Sequence, residues 1–278
     1  MEKSKETKKN VGIIGLGSVG KAVKHGMCFF YNCVGYDIVG NYKWENILNT
    51  SIVFICVSTP EGEGGRLDCS NVDSVLLCLS DSEYKGIVVI KSTIRIGFME
   101  HASRIYPALR LVYMPEFLRE KSSFTWFVNP DRLVISGNEA DIEETLTYFY
   151  WVESAEILKI DHKSAEVGKL AHNAYIATKV SFTNEIEQIC REHGAEPCHA
   201  MSVIWADRRV KSKEHLQPNL GPYEGKCVPK DTRELINSSM NTILLQAVEN
   251  INQKLIDERL NLSPKEISLV SLRTEQEG

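Results

Sequence analysis

Residues 11–20 read VGIIGLGSVG, an apolar run followed by glycines at Gly15, Gly17 and Gly20. Each glycine answers a separate need. The first permits a tight turn out of a strand, the second lets an anionic group approach the backbone, and the third lets the next helix pack on that strand. The stretch therefore commits the chain to a strand over Val11–Gly15, a loop, and a helix over Ser18–Phe30. A helix start so placed offers unpaired amides and a positive dipole end to a phosphate. The next apolar run, Cys33–Asp37, ends in a carboxylate 22 residues beyond Gly15, where an acid binds the ribose hydroxyls of NAD and repels the 2′-phosphate of NADP. The glycine spacing alone is weak; strand, loop, helix, strand and acid in order point to NAD. The expected cofactor contacts are Gly15, Leu16, Gly17, Ser18, Val19, Gly20 and Asp37.

Apolar runs at Ile52–Val57, Ile87–Ile90 and Leu109–Tyr113 continue the alternation, with further strands expected at Leu133–Ser136 and Ala155–Ile160 around a helix over Glu139–Tyr150. That rhythm predicts an α/β fold, a Rossmann-like, doubly wound and mostly parallel sheet over residues 11–160. Residues 161–260 read instead as a helical domain with one long central helix. It runs from Asp161, an N-cap, to Gly194, a C′ stop, with no proline and only Gly168 as an internal break. Such a helix spans on the order of 50 Å. It either braces the first domain or forms a dimer seam, for which Ala171, Ala174 and Ala177 would allow close approach. Shorter helices follow over Pro197–Ala206, Pro229–Ser238 and Thr242–Leu260, and a strand over Ile267–Leu272. Residues 1–10 read as a solvated tail and 261–278 as a C-terminal tail.

A net charge of −5 argues against a nucleic-acid binder, and no apolar run reaches membrane-spanning length. The opening MEKSKETKKN has no apolar stretch behind it that could serve as a signal peptide. The eight cysteines are scattered, without a CxxC pair or a zinc-like ligand set. Reduced thiols, a cytoplasmic location and no metal are the expectation.

Four further stretches carry chemistry-bearing residues. KSTIRIG places Ser92 and Thr93 at a strand end, and MPEFLREKS supplies Glu116, Arg119 and Glu120 after the next strand. In EVGKLAHNAYIATKVSFTNEI, Lys169 and Asn173 are four residues apart on one helix face. GKCVPKD holds Cys227 and Asp231 ahead of a helix. Taken singly, each has an ordinary reading: a packed cysteine, a solvated lysine, a first-turn proline and aspartate. In this order, from about Val11 to about Leu260, they resemble the nucleotide-sugar dehydrogenase family, in particular its UDP-glucose 6-dehydrogenase branch.

That resemblance implies oxidation of a nucleotide sugar's primary alcohol to a carboxylate, with two NAD consumed and no aldehyde released. It implies that Cys227 captures the aldehyde as a thiohemiacetal, whose oxidation gives a thioester. Lys169 and Asn173 would stabilise the oxyanion, Asp231 with Thr93 would handle protons, and Glu120 would activate water. Thr59, Thr93 and Glu120 would also line the cofactor. Glu116, Phe117, Leu118, Lys169, Asn173, Tyr223 and Gly225 would line the sugar nucleotide, with Arg209 reaching across a homodimer; as a bare charge run, its loop reads as solvated. Two departures stand out. Pro222, Tyr223, Glu224 and Gly225 replace a G-F-G-G run, and Arg95 and Phe98 replace proline and threonine. The family also continues into a third, nucleotide-holding domain, of which the last residues here resemble only the first strand. Two functions remain open: a working dehydrogenase on UDP-glucose, or on GDP-mannose or a UDP-N-acetylhexosamine, and an NAD-binding dimeric module with little turnover.

Overall fold

The computed structural model describes residues 9–118, 123–212 and 214–260. Glu120 and the strand expected over Ile267–Leu272 lie outside them. The chain divides into two compact units, Met1–Lys169 and Leu170–Gly278.

The first unit is built on a seven-stranded sheet of order β2-β1-β3-β4-β5-β6-β7. The strands are β1 (Asn10–Ile14), β2 (Asn32–Tyr36), β3 (Ile52–Ile55), β4 (Ile87–Ile90), β5 (Arg110–Tyr113), β6 (Arg132–Gly137) and β7 (Glu156–Lys159). Every residue of β3 and β4 is fully buried, as near-continuous Val/Ile runs require when helices cover both faces. The edge strands differ: β2 is half-exposed and β7 reads EILK with only Leu158 partly covered. All pairings are parallel except β5 with β6. Strand order reverses between β1 and β3, the switch point where such sheets bind ligands beyond their strand ends.

Helices α1 (Ser18–Met27), α2 (Trp44–Leu48), α3 (Ser70–Asp81), α4 (Phe98–Ile105), α5 (Ser123–Val128) and α6 (Glu139–Thr147) join the strands. Helix α1 stops three residues short of the expected Phe30 because the aromatic pair after it is recruited elsewhere. Phe30 stacks on Trp151 at 4.1 Å and 9°.

Helix α7 (His162–His193) is 32 residues long, and the division between units falls within it, after Lys169. Its ends follow local chemistry. Asp161 accepts the Ser164 N–H at 2.9 Å, and Gly194 adopts φ +68° while the Ala195 N–H closes on the Cys190 carbonyl. In the second unit α8 (Pro197–Trp205), α9 (Val228–Asn237) and α10 (Ile243–Leu260) follow. Ala177 and Val180 of α7, Val248 of α10 and Tyr223 form a small buried cluster there. Among the described residues no helix is long and apolar enough to cross a membrane.

Candidate active site

The glycine loop takes the shape its spacing predicts. Gly15 has φ +86°, and a Cβ there would lie 2.8 Å from the Cys56 carbonyl group. A Cβ on Gly20 would lie 1.8 Å from the Gly15 carbonyl oxygen, so α1 can meet β1 only through glycine. A Cβ on Gly17 would meet nothing within 4 Å, which leaves open the side from which a pyrophosphate approaches. Helix α1 has no acidic residue in its first turn and no side-chain cap, so its positive end is uncompensated. Asp37 follows β2 directly. Its carboxylate accepts the Leu16 N–H at 2.6 Å and the Val39 N–H at 2.9 Å. The Val39 amide foremost, then that of Leu16, holds it below the usual carboxylate range, charged and at the loop's edge. These residues fit a dinucleotide with a free ribose diol.

Beyond the ends of β3, β4 and β5 the same unit gathers polar side chains. Thr59, Lys91, Ser92 and Thr93 are buried, and the Ser92 hydroxyl donates to the Val57 carbonyl at 2.7 Å. Glu116 accepts the Leu118 N–H at 2.6 Å and faces the Lys169 ammonium at 3.9 Å. Two cations stand near the Phe117 ring, the Arg132 guanidinium 4.2 Å and the Lys169 ammonium 5.2 Å from its centre. Glu166, fully buried one turn before Lys169, accepts the Gly97 and Met99 N–H groups at 2.6 and 2.8 Å. Burial pushes its carboxyl upward against those two bonds. The turn carrying Thr93 is thereby fastened to the start of α7.

In the second unit Cys227 stands exposed at the N-cap of α9, at the positive end of the helix dipole. Buried Cys56 makes the contrast, since desolvation pushes its thiol up to about 12. One turn after Cys227, Asp231 is wholly buried. It accepts the Asn173 side-chain amide at 2.6 Å and pairs with the Lys230 ammonium at 2.7 Å. The loop ahead of Cys227 is tied down at several points. Asn184 donates to the Gly221 carbonyl, Asn252 holds both the N–H and the carbonyl of Tyr223, and Glu224 pairs with Arg259. The Tyr223 ring is buried, and its hydroxyl donates to Glu249 at 2.5 Å. Gly225 has φ +88°. Arg209 is exposed beyond α8, its guanidinium forked on Asp207.

The model for the NAD binding domain of the UDP-glucose/GDP-mannose dehydrogenase family matches residues 37–152, and that for its central domain matches residues 163–254. The chain belongs to this family. NAD is accordingly its cofactor. The UDP-glucose 6-dehydrogenase of Pseudomonas aeruginosa is 32% identical over 228 residues, covering 76% of this chain and 50% of the relative. UDP-glucose 6-dehydrogenase YwqF of Bacillus subtilis is 30% identical, covering 82% and 56% respectively. The chain thus spans about half the length of the curated relatives it matches. A UDP-glucose dehydrogenase structure from Pyrobaculum islandicum superposes with a TM-score of 0.81 at 23% identity, covering 94% of this chain and 73% of that one. That likeness is one of fold.

Within the family frame, Thr59, Thr93, Glu116, Phe117, Leu118 and Lys169 belong to the first unit; Asn173, Arg209, Tyr223, Gly225, Cys227 and Asp231 belong to the second. Two polar residues near these groups escaped sequence reasoning. Glu166 carries its signal only in helical spacing, three before Lys169. Lys91 reads from sequence as an ordinary lysine at a strand end.

Proposed function

We propose that the chain oxidises the primary alcohol of a nucleotide sugar, UDP-glucose foremost, to the carboxylate in two steps through Cys227. The support is the exposed thiol at the head of α9, one turn from a buried carboxylate already bonded to Asn173. NAD, when bound, accepts a hydride in each oxidation. The chain's own residues do the rest. Lys169 and Asn173 donate to the oxygen of the reacting carbon, while Asp231 and Thr93 take its proton through water. The Cys227 thiolate then adds to the aldehyde carbon, forming a C–S bond and moving the carbonyl electrons onto oxygen. Loss of the second hydride restores the carbonyl as a thioester. Water, activated by Glu120, breaks the C–S bond and releases the acid and the thiolate. Names of the curated relatives favour UDP-glucose; GDP-mannose and UDP-N-acetylhexosamines are the competitors.

A second copy belongs to the same proposal. On α7 the exposed side chains Tyr175, Phe182 and Ile189 recur every seventh residue, the spacing of a helix-pairing seam. One observation favours the alternative, an NAD-binding module with little turnover: the loop from Asn219 to Gly225 is pinned where the family has flexible glycines.

A panel of nucleotide sugars, read by NADH formation, tests the function, and Cys227→Ser tests the route. A serine ester is less activated and its hydroxyl a poorer nucleophile than a thiolate. The variant should fold, bind NAD and stall at the aldehyde level. A wild-type rate of acid formation by Cys227→Ser would make the cysteine structural.

A further inference from the structure

The end of the central strand β4 holds a lysine to which the proposed chemistry gives no task. Along β4, Ile87 and Val89 enter an apolar cluster with Phe54 and Cys56 from the β3 line and Val112 and Met114 from the β5 line. Side chains alternate along a strand, so the same row continues past the apolar residues to Lys91 and, one strand over, to Glu116. Lys91 is only 5% exposed. Its electrostatic neighbours are the Cys56 thiol, the Glu116 carboxylate and the Lys169 ammonium. Cys56 in turn lies under the glycine loop, its Cβ 3.4 Å from where a Cβ on Gly20 would stand. Lys91 therefore lies on the central strand line, with the cofactor loop on one side and the Glu116–Lys169 pair on the other.

We propose that Lys91 is a positioning residue for Lys169: it gives Glu116 a counter-charge of its own, so that Lys169 keeps its ammonium for the oxygen of the reacting carbon. The inference rests on the dehydrogenase reading above. Glu116 is half-buried, its ion pair with Lys169 is loose at 3.9 Å, and Lys91 stands in the same row on the neighbouring strand line. The other Glu116 oxygen already takes the Leu118 N–H. If Lys91 were neutral, Glu116 would turn wholly to Lys169 and draw it away from the substrate. Burial first, then the like charge of Lys169, brings the Lys91 ammonium down to about 8, with Cys56 and Glu116 opposing. Its charge is therefore shed under mildly alkaline conditions, and activity should fall as pH rises through that value.

The test uses the full chain with Lys91→Met and Lys91→Arg. Removing a direct oxyanion donor costs about 100-fold or more in kcat; a residue acting through another should cost about 10-fold. Lys91→Met is expected to lower kcat by that factor, with KM and NAD affinity within about twofold, and to lose the alkaline limb. Lys91→Arg should restore kcat and carry the plateau to higher pH, because a guanidinium keeps its proton. Titration of lysine carrying ¹³C at Cε gives a readout independent of turnover: one resonance, absent from Lys91→Arg, should titrate near pH 8. Full kcat with an unchanged alkaline limb in Lys91→Met overturns the inference. Lys91→Gln, which keeps a polar side chain in the buried site, serves where Lys91→Met fails to fold, and full kcat in it overturns the inference likewise. A wild-type chain inert toward every nucleotide sugar sinks the dehydrogenase reading itself, and this inference with it; an active wild type indifferent to Lys91→Met sinks only this inference.

Discussion

Replacing Asn252 by alanine isolates what holds the loop ahead of Cys227. Asn252 is 3% exposed; its side-chain oxygen accepts the Tyr223 N–H at 2.7 Å and its amide donates to the Tyr223 carbonyl at 3.1 Å. Alanine leaves both backbone groups without those partners in a buried setting. An unsatisfied buried group costs about 1–3 kcal/mol, so two cost about 2–6 kcal/mol. Water entering the vacated space brings the expectation to about 2–4 kcal/mol. With a urea m-value of about 2 kcal/mol/M, the midpoint of the second unit's transition should drop by about 1–2 M. Amide exchange should quicken between Asn219 and Cys227 more than in α8. Tyr223→Phe is the control. It removes one hydroxyl bond, while Glu249 keeps Arg233 at 2.9 Å, and should cost about 1 kcal/mol. A midpoint for Asn252→Ala within error of wild type, with loop exchange unchanged, would refute the claim that this side chain secures the loop.

Asp37→Ser should weaken NAD binding by about 10- to 100-fold, the worth of charge-assisted hydrogen bonds, and narrow the gap to NADP; calorimetric titration showing equal affinities for both cofactors in the wild type would sink the role of Asp37. Phe182→Glu should convert a dimer to the single-chain mass in light scattering, since it buries a charge in the proposed seam, and a wild type that is monomeric at every concentration would remove the seam altogether.

Features decided within a few residues were legible from the sequence. The glycine loop, the Asp161 cap and the Gly194 stop each depend on a backbone angle or a neighbouring amide, and the residue types declare them. The seven strands were legible as apolar runs, but the reversed direction of β6 was not, because LVIS reads alike both ways along a sheet. Tyr223 shows a different limit. Its ring is buried and its partners are Glu249 and Asn252, 26 and 29 residues further along. An aromatic residue in a loop carries no mark of partners that distant. Lys91 was equally opaque, since its burial goes with its place just past the end of the central strand β4 rather than with its own surroundings in the chain.

Glu166 has a bearing on how the protein can be cut and in what order it assembles. The start of α4 has no cap of its own, only Gly97 at φ +86°. Its two amides wait for a carboxylate that lies 69 and 67 residues downstream. A fragment ended at the last strand of the sheet, near residue 160, would look complete by its strand count yet leave both amides without their acceptor, at about 1–3 kcal/mol each wherever water cannot replace it. On the ribosome, the turn bearing Thr93 likewise stays unfastened until the first turns of α7 have emerged. Any excised cofactor module should therefore extend past Glu166.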